Sequence, residues 1–500
     1  MTHREIERSY VPPAEGELPD LTRLPGVARI VGPDVAELRA TYFDTADLAL
    51  TRAGVSLRRR EGGGDEGWHL KVPAGSGRDE IQLPLTPELE PPRELVEVVL
   101  GWTRGEPLEQ VATIRTRRTT YPLLDDAGAV LAEVADDEVT GNAGDGEPPV
   151  VWREWEVEVA DGRADLLSGA DELMASVGVA PSEVQRKIVG VLGDRLRPEA
   201  RLGSAKPGKP AARVVQRRLA KQVAELLRRD SQIRRGEDEG VHRARVACRR
   251  LRSALATFRP LLDHEVTEPL RDEIKWLGSR LGAARDAKVV RERLTGLVQE
   301  EDRGADAVQH RIDDTYARRR VAAGHEVSTT LTSQRYLDLL AALDRVAAEP
   351  PWTEAAESSA RSVLPKRVRK DWKRLRRRVE EVEDVETAED RDHAMHEARK
   401  AAKRLRYGAE SLQPAWGKDA KRLVKATKQV TTLLGERQDT VMTRPDLLTI
   451  SAEAQAEGED TFTLGRLHAR EQWRAAEIDR EFEDVWRRLY QRGRLREWLG

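Results

Sequence analysis

VHRARVACRRLRSALATFRPLL, residues 241–262, and MHEARKAAKRLRYGAESLQPAW, residues 395–416, align at an offset of 154 residues, and this self-match decides how the second half of the chain is read. Downstream, KWLGSRLGAARDAKV (275–289) aligns with KQVTTLLGERQDTVM (428–442) at an offset of 153, so one gap suffices for a repeat long enough to form a bundle of about four helices. Charged positions repeat as faithfully as apolar ones. His242, Arg245, Arg249 and Arg252 stand at i, i+3, i+7 and i+10, and His396, Arg399, Lys403 and Arg406 share that spacing. At 3.6 residues per turn each set forms one stripe along a helix, with Leu251 and Leu405 off the stripe and free to face a core. Lys275 and Lys428 take equivalent places on the next long helix.

Four like-signed groups on one helix face repel unless a counter-charge is supplied. Arginine presents planar forks to phosphate oxygens, lysine a point charge, and histidine joins when protonated. A linear polyanion lying along each stripe would relieve the repulsion. The plainer alternative is a solvated basic face, but the stripe recurs with its histidine while other exposed positions differ between the copies. Arg250, Arg404 and the run KRVRKDWKRLRRR (366–378) are read as general basic surface.

Outward from the repeat, helices are expected near 211–230, 240–260, 265–285, 287–302, 305–326, 334–348, 355–384, 391–412, 417–437 and 462–496. The stretch PEARLGSAKPGKPA (198–211) reads as a linker. Before it the texture changes to short alternating segments, for example 5–10, 55–60, 67–73, 112–124, 129–139 and 151–160, while two short stretches around 34–39 and 165–177 read better as helices. The near-neutral total conceals a division. Residues 1–200 hold 22 basic and 38 acidic side chains and the remainder 63 and 50, which points the second half toward an anionic partner. A single cysteine, Cys248, excludes an internal disulfide framework, and no apolar run is long enough to span a bilayer, so a cytoplasmic protein without a membrane partner is expected.

In the first half, strands carry charge at every second residue: Glu5 and Glu7, Arg58 and Arg60, Arg115 and Arg117, Glu133 and Asp137, and Glu154, Glu156 and Glu158. One solvated sheet face would explain any single strand. Taken together, they suggest a barrel with a charged interior, whose carboxylates hold Mg²⁺ or Mn²⁺ and whose arginines and lysines hold phosphate. Such a cation would polarise phosphorus for attack by water.

The helical half resembles the CHAD domain over about 290 residues, carried by the paired H-x-x-R-x-x-x-[RK]-x-x-R stripes. That resemblance implies two four-helix bundles whose basic surface binds inorganic polyphosphate through His242, Arg245, Arg249, Arg252 and Lys275 and their counterparts His396, Arg399, Lys403, Arg406 and Lys428. Residues 1–197 resemble the CYTH domain, the triphosphate tunnel fold, through EIER (5–8), YFDTADLALTRAGVSLRRR (42–60), GWHLKVP (67–73), VLAEVADDEV (130–139), WREWEVEV (152–159) and RKIVGVLGDRL (186–196). The implied metal-side carboxylates are Glu5, Glu7, Glu156 and Glu158, with Glu133 and Asp137 as helpers and Glu154 ranked lower. Arg58, Arg60, Lys71, Arg115, Arg117 and Lys187 would hold the triphosphate, with Lys71 counted among the catalytic groups. Two departures stand out: Ser9 occupies the lysine place of the family's E-x-E-x-K opening, and Gly190 the place of an arginine three residues after Lys187.

The expected architecture is α+β and multi-domain: an N-terminal antiparallel β-barrel or tunnel (1–197), the linker, and a C-terminal all-α pair of four-helix bundles (212–500). The expected function is metal-dependent hydrolysis of inorganic triphosphate or a related triphosphate, with polyphosphate docking on the helical half and an association with polyphosphate granules. A degenerate tunnel that only binds is the alternative that Ser9 and Gly190 raise. Nucleic acid is not expected as partner, because aromatics for base stacking are scarce along the stripes, and nothing marks an adenine pocket for cyclase chemistry.

Overall fold

The computed structural model describes residues 2–74, 77–144, 147–160, 163–182, 186–193, 195–196, 206, 208–301 and 304–490, and the side chains of residues 2–5, 164, 238 and 490 lie outside that description. The chain divides into two compact units, Met1–Ala200 and Arg201–Gly500. Most of the expected linker lies outside the described residues, and Ala211 already opens a helix.

The first unit is built on β1 (Thr2–Glu5), β2 (Glu7–Tyr10), β3 (Arg29–Ile30), β4 (Asp34–Asp44), β5 (Ser56–Glu61), β6 (Gly67–Ala74), β7 (Gly77–Leu83), β8 (Glu109–Leu124), β9 (Val130–Asn142) and β10 (Val150–Val159). Its helices are α1 (Ala49–Arg52), α2 (Arg93–Thr103), α3 (Ala164–Ser176) and α4 (Lys187–Leu192). The antiparallel sheet runs β1-β7-β6-β5-β4-β8-β9-β10-β2, with β3 beside β8. Only Ile6 separates β1 from β2, yet β1 pairs with β7 at one edge and β2 with β10 at the other. The expected first strand is therefore two, and this short segment ties both edges of the curled sheet together. Pairing an edge in this way satisfies backbone groups that would otherwise be left open.

Alternation then sorts the side chains. On β10, Trp155, Val157 and Val159 pack outward beneath Leu166, Ala170, Leu173 and Met174 of α3, while Glu156 and Glu158 line the interior. The interior is not charged throughout. Ile188, Val191 and Leu192 of α4 pack with Ala112, Ile114 and Val139, closing part of the barrel with an apolar cluster. The helix sits so close to β9 that a Cβ on Gly141 would lie 2.2 Å from Val191 Cγ2.

The helices of this unit differ from expectation at 34–39 and in the presence of α1, α2 and α4. DVAELR at 34–39, expected as a helix, is the start of β4, which pairs along its length with β8 from Asp34↔Thr120 onward. Ladder pairing outweighs its short helix-like pattern. The helix α2 was not expected, yet it buries Leu95, Val98, Val99 and Trp102 at helical spacing.

The second unit is helical: α5 (Ala211–Arg234), α6 (Asp238–Thr257), α7 (His264–Arg280), α8 (Gly282–Val298), α9 (Ala305–Thr332), α10 (Gln334–Ala348), α11 (Ala360–Glu383), α12 (Ala388–Ala456) and α13 (Phe462–Tyr490). The helices expected at 391–412 and 417–437 are the two parts of α12, which breaks at Gly417 (φ 48°, ψ −112°), a left-handed backbone that glycine adopts without steric cost. The repeat is legible in the core: Ala244, Ala247 and Leu251 of α6 and Phe258 just past its end are buried, as are their counterparts Ala398, Ala401, Leu405 and Leu412. Each buried leucine or phenylalanine contributes about 1.5–3 kcal/mol, and this packing fixes the backbone beneath the stripe.

The seat of α4 on β9 is directly testable. Gly141→Ala should lower the stability of the first unit by about 1–3 kcal/mol through overpacking. In a urea-unfolding double-mutant cycle, adding Val191→Ala should restore most of that loss, because it clears the atom the new methyl meets.

Candidate functional site

The interior of the barrel opens as a cavity of about 470 Å³ whose lining is dominated by charge. Three adjacent strands place Glu133, Glu158 and Glu7 in one register row, since Glu158 pairs with both of the others. Like charges directly opposite one another are destabilising without compensation. Compensation comes from across the cavity, where Arg58 and Arg60 of β5, Lys71 of β6 and Arg78 of β7 also face inward. Arg78 forms an ion pair with Glu7.

The next row holds the tightest electrostatics. Arg118 is bonded to Asp137 at 2.8 and 2.7 Å and to Glu156 at 2.5 Å. Lys187, at the start of α4, lies 3.0 Å from Asp137 and 3.4 Å from Glu156 and also contacts Glu154. Burial alone would raise the Glu156 carboxyl, but Lys187, Arg118 and Lys71 hold it well below the usual carboxylate range. Burial likewise works against the Lys187 ammonium, yet Glu156, Asp137 and Glu154 keep it well above the ordinary lysine value. Glu133 behaves oppositely: burial pushes its carboxyl up, Arg118 only partly offsets this, and no ion pair or hydrogen bond holds it among the described residues.

Of the residues expected in the tunnel, Glu7, Arg58, Arg60, Lys71, Glu133, Glu156, Glu158 and Lys187 line the cavity. The side chain of Glu5 lies outside the described residues. Arg115 and Arg117 do not line it. Both are exposed, and Arg117 pairs with Glu138 and Glu37 on the outer face. The inward parity of β8 belongs instead to Thr116, Arg118 and Thr120, so the third arginine of RTRR carries the charge inside. Asp137 is fully buried behind the cavity as a counter-ion to Arg118 and Lys187. Sequence reading also missed Arg78 and Arg186, although Arg186 directly precedes Lys187. Its side chain reaches the cavity and bonds the Thr51 carbonyl at 2.8 Å. The two departures differ in kind. Ser9 is buried and directly opposite Glu156, whereas Gly190 is exposed beside the Trp152 ring.

Carboxylate oxygens are the hard donors that Mg²⁺ and Mn²⁺ take. Among the described residues, no three candidate ligands gather into a ready-made metal cluster. Glu7 is held by Arg78, and Glu156 by Arg118 and Lys187. This donor set fits an ion of the Mg²⁺ type, which keeps waters and binds through one or two carboxylates together with substrate phosphates.

In the helical unit α6 packs on α12, and the two stripes converge. Arg245, Arg249, Arg252 and Lys275 line a cavity of about 410 Å³ together with Cys248, whose buried thiol is pushed up to about 12 and is no nucleophile near neutral pH. Burial lowers both Arg399 and Lys403 of the second stripe, and Arg249 of the first lies close enough to add to it. Burial lowers His242, reinforced by Arg285 and Arg249. It also lowers His396, which contacts Gln438. Lys428 is exposed, and Arg406 is engaged by Thr431 at 2.9 Å and stacked 4.9 Å from the Tyr407 ring. Two aspartates at equivalent places in the repeat escaped notice: Asp286, bonded to Arg245 at 2.8 Å, and Asp439, which acts on Arg399. Their signal was present in the second self-match, where both copies carry the same aspartate. Gly282 and Gly435, also equivalent, lie beneath Arg245 and Arg399, where an added Cβ would stand 3.7 and 4.0 Å from the guanidinium, in ordinary van der Waals contact.

A curled sheet with a phosphate-sized charged interior, joined in one chain to a helical unit with paired basic stripes, defines a triphosphate tunnel protein with a helical domain. Residues 3–180 match the CYTH domain model and residues 217–447 the CHAD domain model, in that order. The uncharacterized proteins MT2285 and Rv2226 of two Mycobacterium tuberculosis strains are each 36% identical over 511 residues, covering 97% of this chain and 96% of theirs. The chain belongs to this family of CYTH–CHAD proteins. Among solved structures, PptA from Streptomyces chartreusis is 19% identical, with a TM-score of 0.49 over 56% of this chain and 99% of its own. The CHAD domain from the plant Ricinus communis is 24% identical, with a TM-score of 0.46 over 59% and 96%. CYTH proteins are metal-dependent, usually with Mg²⁺ or Mn²⁺. No helix among the described residues is long and apolar enough to cross a membrane.

The convergence of the stripes has a proton signature. Burial, with Arg399, Arg249 and Arg406 beside it, brings Lys403 down to about 6. Between that value and the ordinary lysine value near 10.4, the unfolded chain binds a proton that the folded chain does not, so stability rises with pH across the window. Below pH 6 both states carry the proton and the folded state bears the full repulsion. Lys403→Met should therefore flatten the pH dependence of urea unfolding, by up to about 1.4 kcal/mol per pH unit, and should stabilise the fold most in acid.

Proposed function

We propose that the tunnel binds inorganic triphosphate or a related triphosphate compound and hydrolyses it, while the helical unit docks longer polyphosphate. One observation carries the first part: seven cations and a row of carboxylates line a single cavity. That arrangement suits a substrate carrying several negative charges together with a divalent ion. Arg58, Arg60, Lys71, Arg78 and Arg186 would bind the phosphate oxygens, arginine through bidentate forks. Arg118 and Lys187 would hold Glu156 in place and add positive potential on the same side. Glu7, Glu156 and Glu158, with Glu5, would hold Mg²⁺ or Mn²⁺, which when bound polarises the phosphoryl group and offsets its charge. Glu133, with its carboxyl raised by burial and no cation bonded to it among the described residues, is left to take a proton from the attacking water.

A binding-only tunnel is the second reading, favoured by Ser9. Opposite Glu156, where the family opening has lysine, a short hydroxyl supplies no charge. Arg118 and Lys187 already satisfy Glu156, so the substrate and metal must displace existing ion pairs. Phosphate release from tripolyphosphate with Mg²⁺ or Mn²⁺ separates the two. The hydrolytic reading expects steady release, a loss of at least about 100-fold in Glu133→Gln and Arg118→Ala, and little change in Arg117→Ala. Calorimetric binding of tripolyphosphate without release would favour the second reading, and recovery of release in Ser9→Lys would assign the defect.

For the helical unit, reversing charge at Arg245, Arg249, Arg399 and Lys403 should abolish polyphosphate binding in a filter or anisotropy assay with helicity by circular dichroism unchanged. Undiminished binding by that variant would remove the stripes from the reading.

A further inference from the structure

Between the stripes and the rest of the helical surface, one strongly charged element has no role in either site. Ten of the eighteen residues 361–378 on α11 are Lys or Arg, whereas α5, which precedes α6 as α11 precedes α12, carries five among residues 211–228. The repeat thus supplies its own control: this density of charge is not a requirement of the fold. Within α11, Arg376, Arg377 and Arg378 have partners in Glu380 and Glu381. Lys366, Arg367, Arg369, Lys370, Lys373 and Arg374 make no ion pair among the described residues. Lys366, Lys370, Lys373 and Arg377 are exposed and stand at i, i+4, i+7 and i+11, one ridge along the helix.

The ridge is continuous with the groove. Arg404 of α12, one residue from Lys403, pairs with the buried Asp371 of α11 at 2.7 Å and donates to the Ala256 carbonyl at 2.7 Å, one turn beyond Arg252. Asp371 in turn accepts from Thr257 at 2.5 Å, which fixes α11 against the end of α6. Arg374 lies one turn along from Asp371, and Arg271 of α7 approaches both Arg252 and Arg404. Cations therefore lead from Arg252 through Arg271 and Arg404 to Arg374 and the ridge.

We propose that α11 is a second segment of the polyanion track, so that a polyphosphate chain too long for the central groove leaves it past Arg252 and continues along the ridge from Arg374 to Lys366. The inference rests on the polyphosphate reading of the stripes and adds selection for chain length to it. A single-stranded nucleic acid fits less well. The one aromatic on this stretch, Trp372, is packed 5.5 Å from Trp486, which itself stacks on Phe482, and so offers no platform for a base.

The full chain is tested with sodium polyphosphate of two size fractions, one short enough for the groove alone and one several times longer. The ridge variant Lys366→Glu/Lys370→Glu/Lys373→Glu should bind the short fraction like the wild type and the long fraction at least ~10-fold more weakly, since linking two segments raises avidity by that order or more. Unchanged short-chain binding also reports an intact fold. Equal long-chain affinity in wild type and ridge variant would overturn the proposal. The groove variant Arg249→Glu/Lys403→Glu should lose both fractions; if it keeps both, the stripe reading fails and takes this inference with it. A larger ridge-dependent loss for single-stranded RNA of equal phosphate count than for long polyphosphate would overturn it in favour of nucleic acid.

Discussion

Repulsion between like charges held away from water is the constraint on which both halves of this protein depend. In the tunnel, three carboxylates share one register row, and in the groove burial, with Arg399 and Arg249 beside it, brings Lys403 down to about 6. Neither arrangement would persist unless something stronger fixed the backbone beneath it. In the barrel that is the hydrogen-bonded ladder, closed at both edges by residues 2–10. In the helical unit it is the paired apolar faces of α6 and α12. The charges are presented by a scaffold that does not need them, so they are available for a ligand of opposite sign.

The two solutions differ in how much counter-charge is built in. The tunnel mixes signs: Arg118 and Lys187 are bonded to Asp137, Glu154 and Glu156, and a substrate must arrive with its own compensation. Such a network is costly to break at one member, because the remaining partner is left buried and unpaired. In the groove Asp286, Asp439 and Glu410 stand beside Arg245, Arg399 and Arg406, whereas among the described residues Arg249, Lys275, Lys403 and Lys428 make no ion pair that an incoming polyanion must displace. This contrast matches a short, metal-accompanied substrate in one half and an extended polyanion in the other.

Much of this is legible in the sequence. A 154-residue self-match located the stripes and their core partners, because helical spacing links residues close in sequence. Strand parity placed Glu156 and Glu158 together and Arg58 with Arg60 for the same reason. Errors arose where local pattern left two choices. RTRR offers either parity, and only pairing with β4 and β9 turns Arg118 inward and Arg117 outward. DVAELR reads as a helix in isolation and becomes a strand because β8 lies beside it.

Arg186 and Gly190 show the limit most clearly. The loss of a cation at 190 read as a gap in the tunnel, yet Gly190 faces the Trp152 ring and Arg186 brings a guanidinium to the cavity from the preceding turn. The sequence by itself determined which residue types would gather and at what spacing: carboxylates and cations on alternate strand positions, and basic groups at i, i+3, i+7 and i+10. Tertiary structure alone decided which charges meet, pairing Arg118 and Lys187 with Glu156 and bringing Arg249 to Arg399 and Lys403. Periodicity is a property of the backbone and can be read along the chain. Electrostatic partnership depends on distances between segments as many as 154 residues apart, and those are fixed only when the sheet curls and the helices pack.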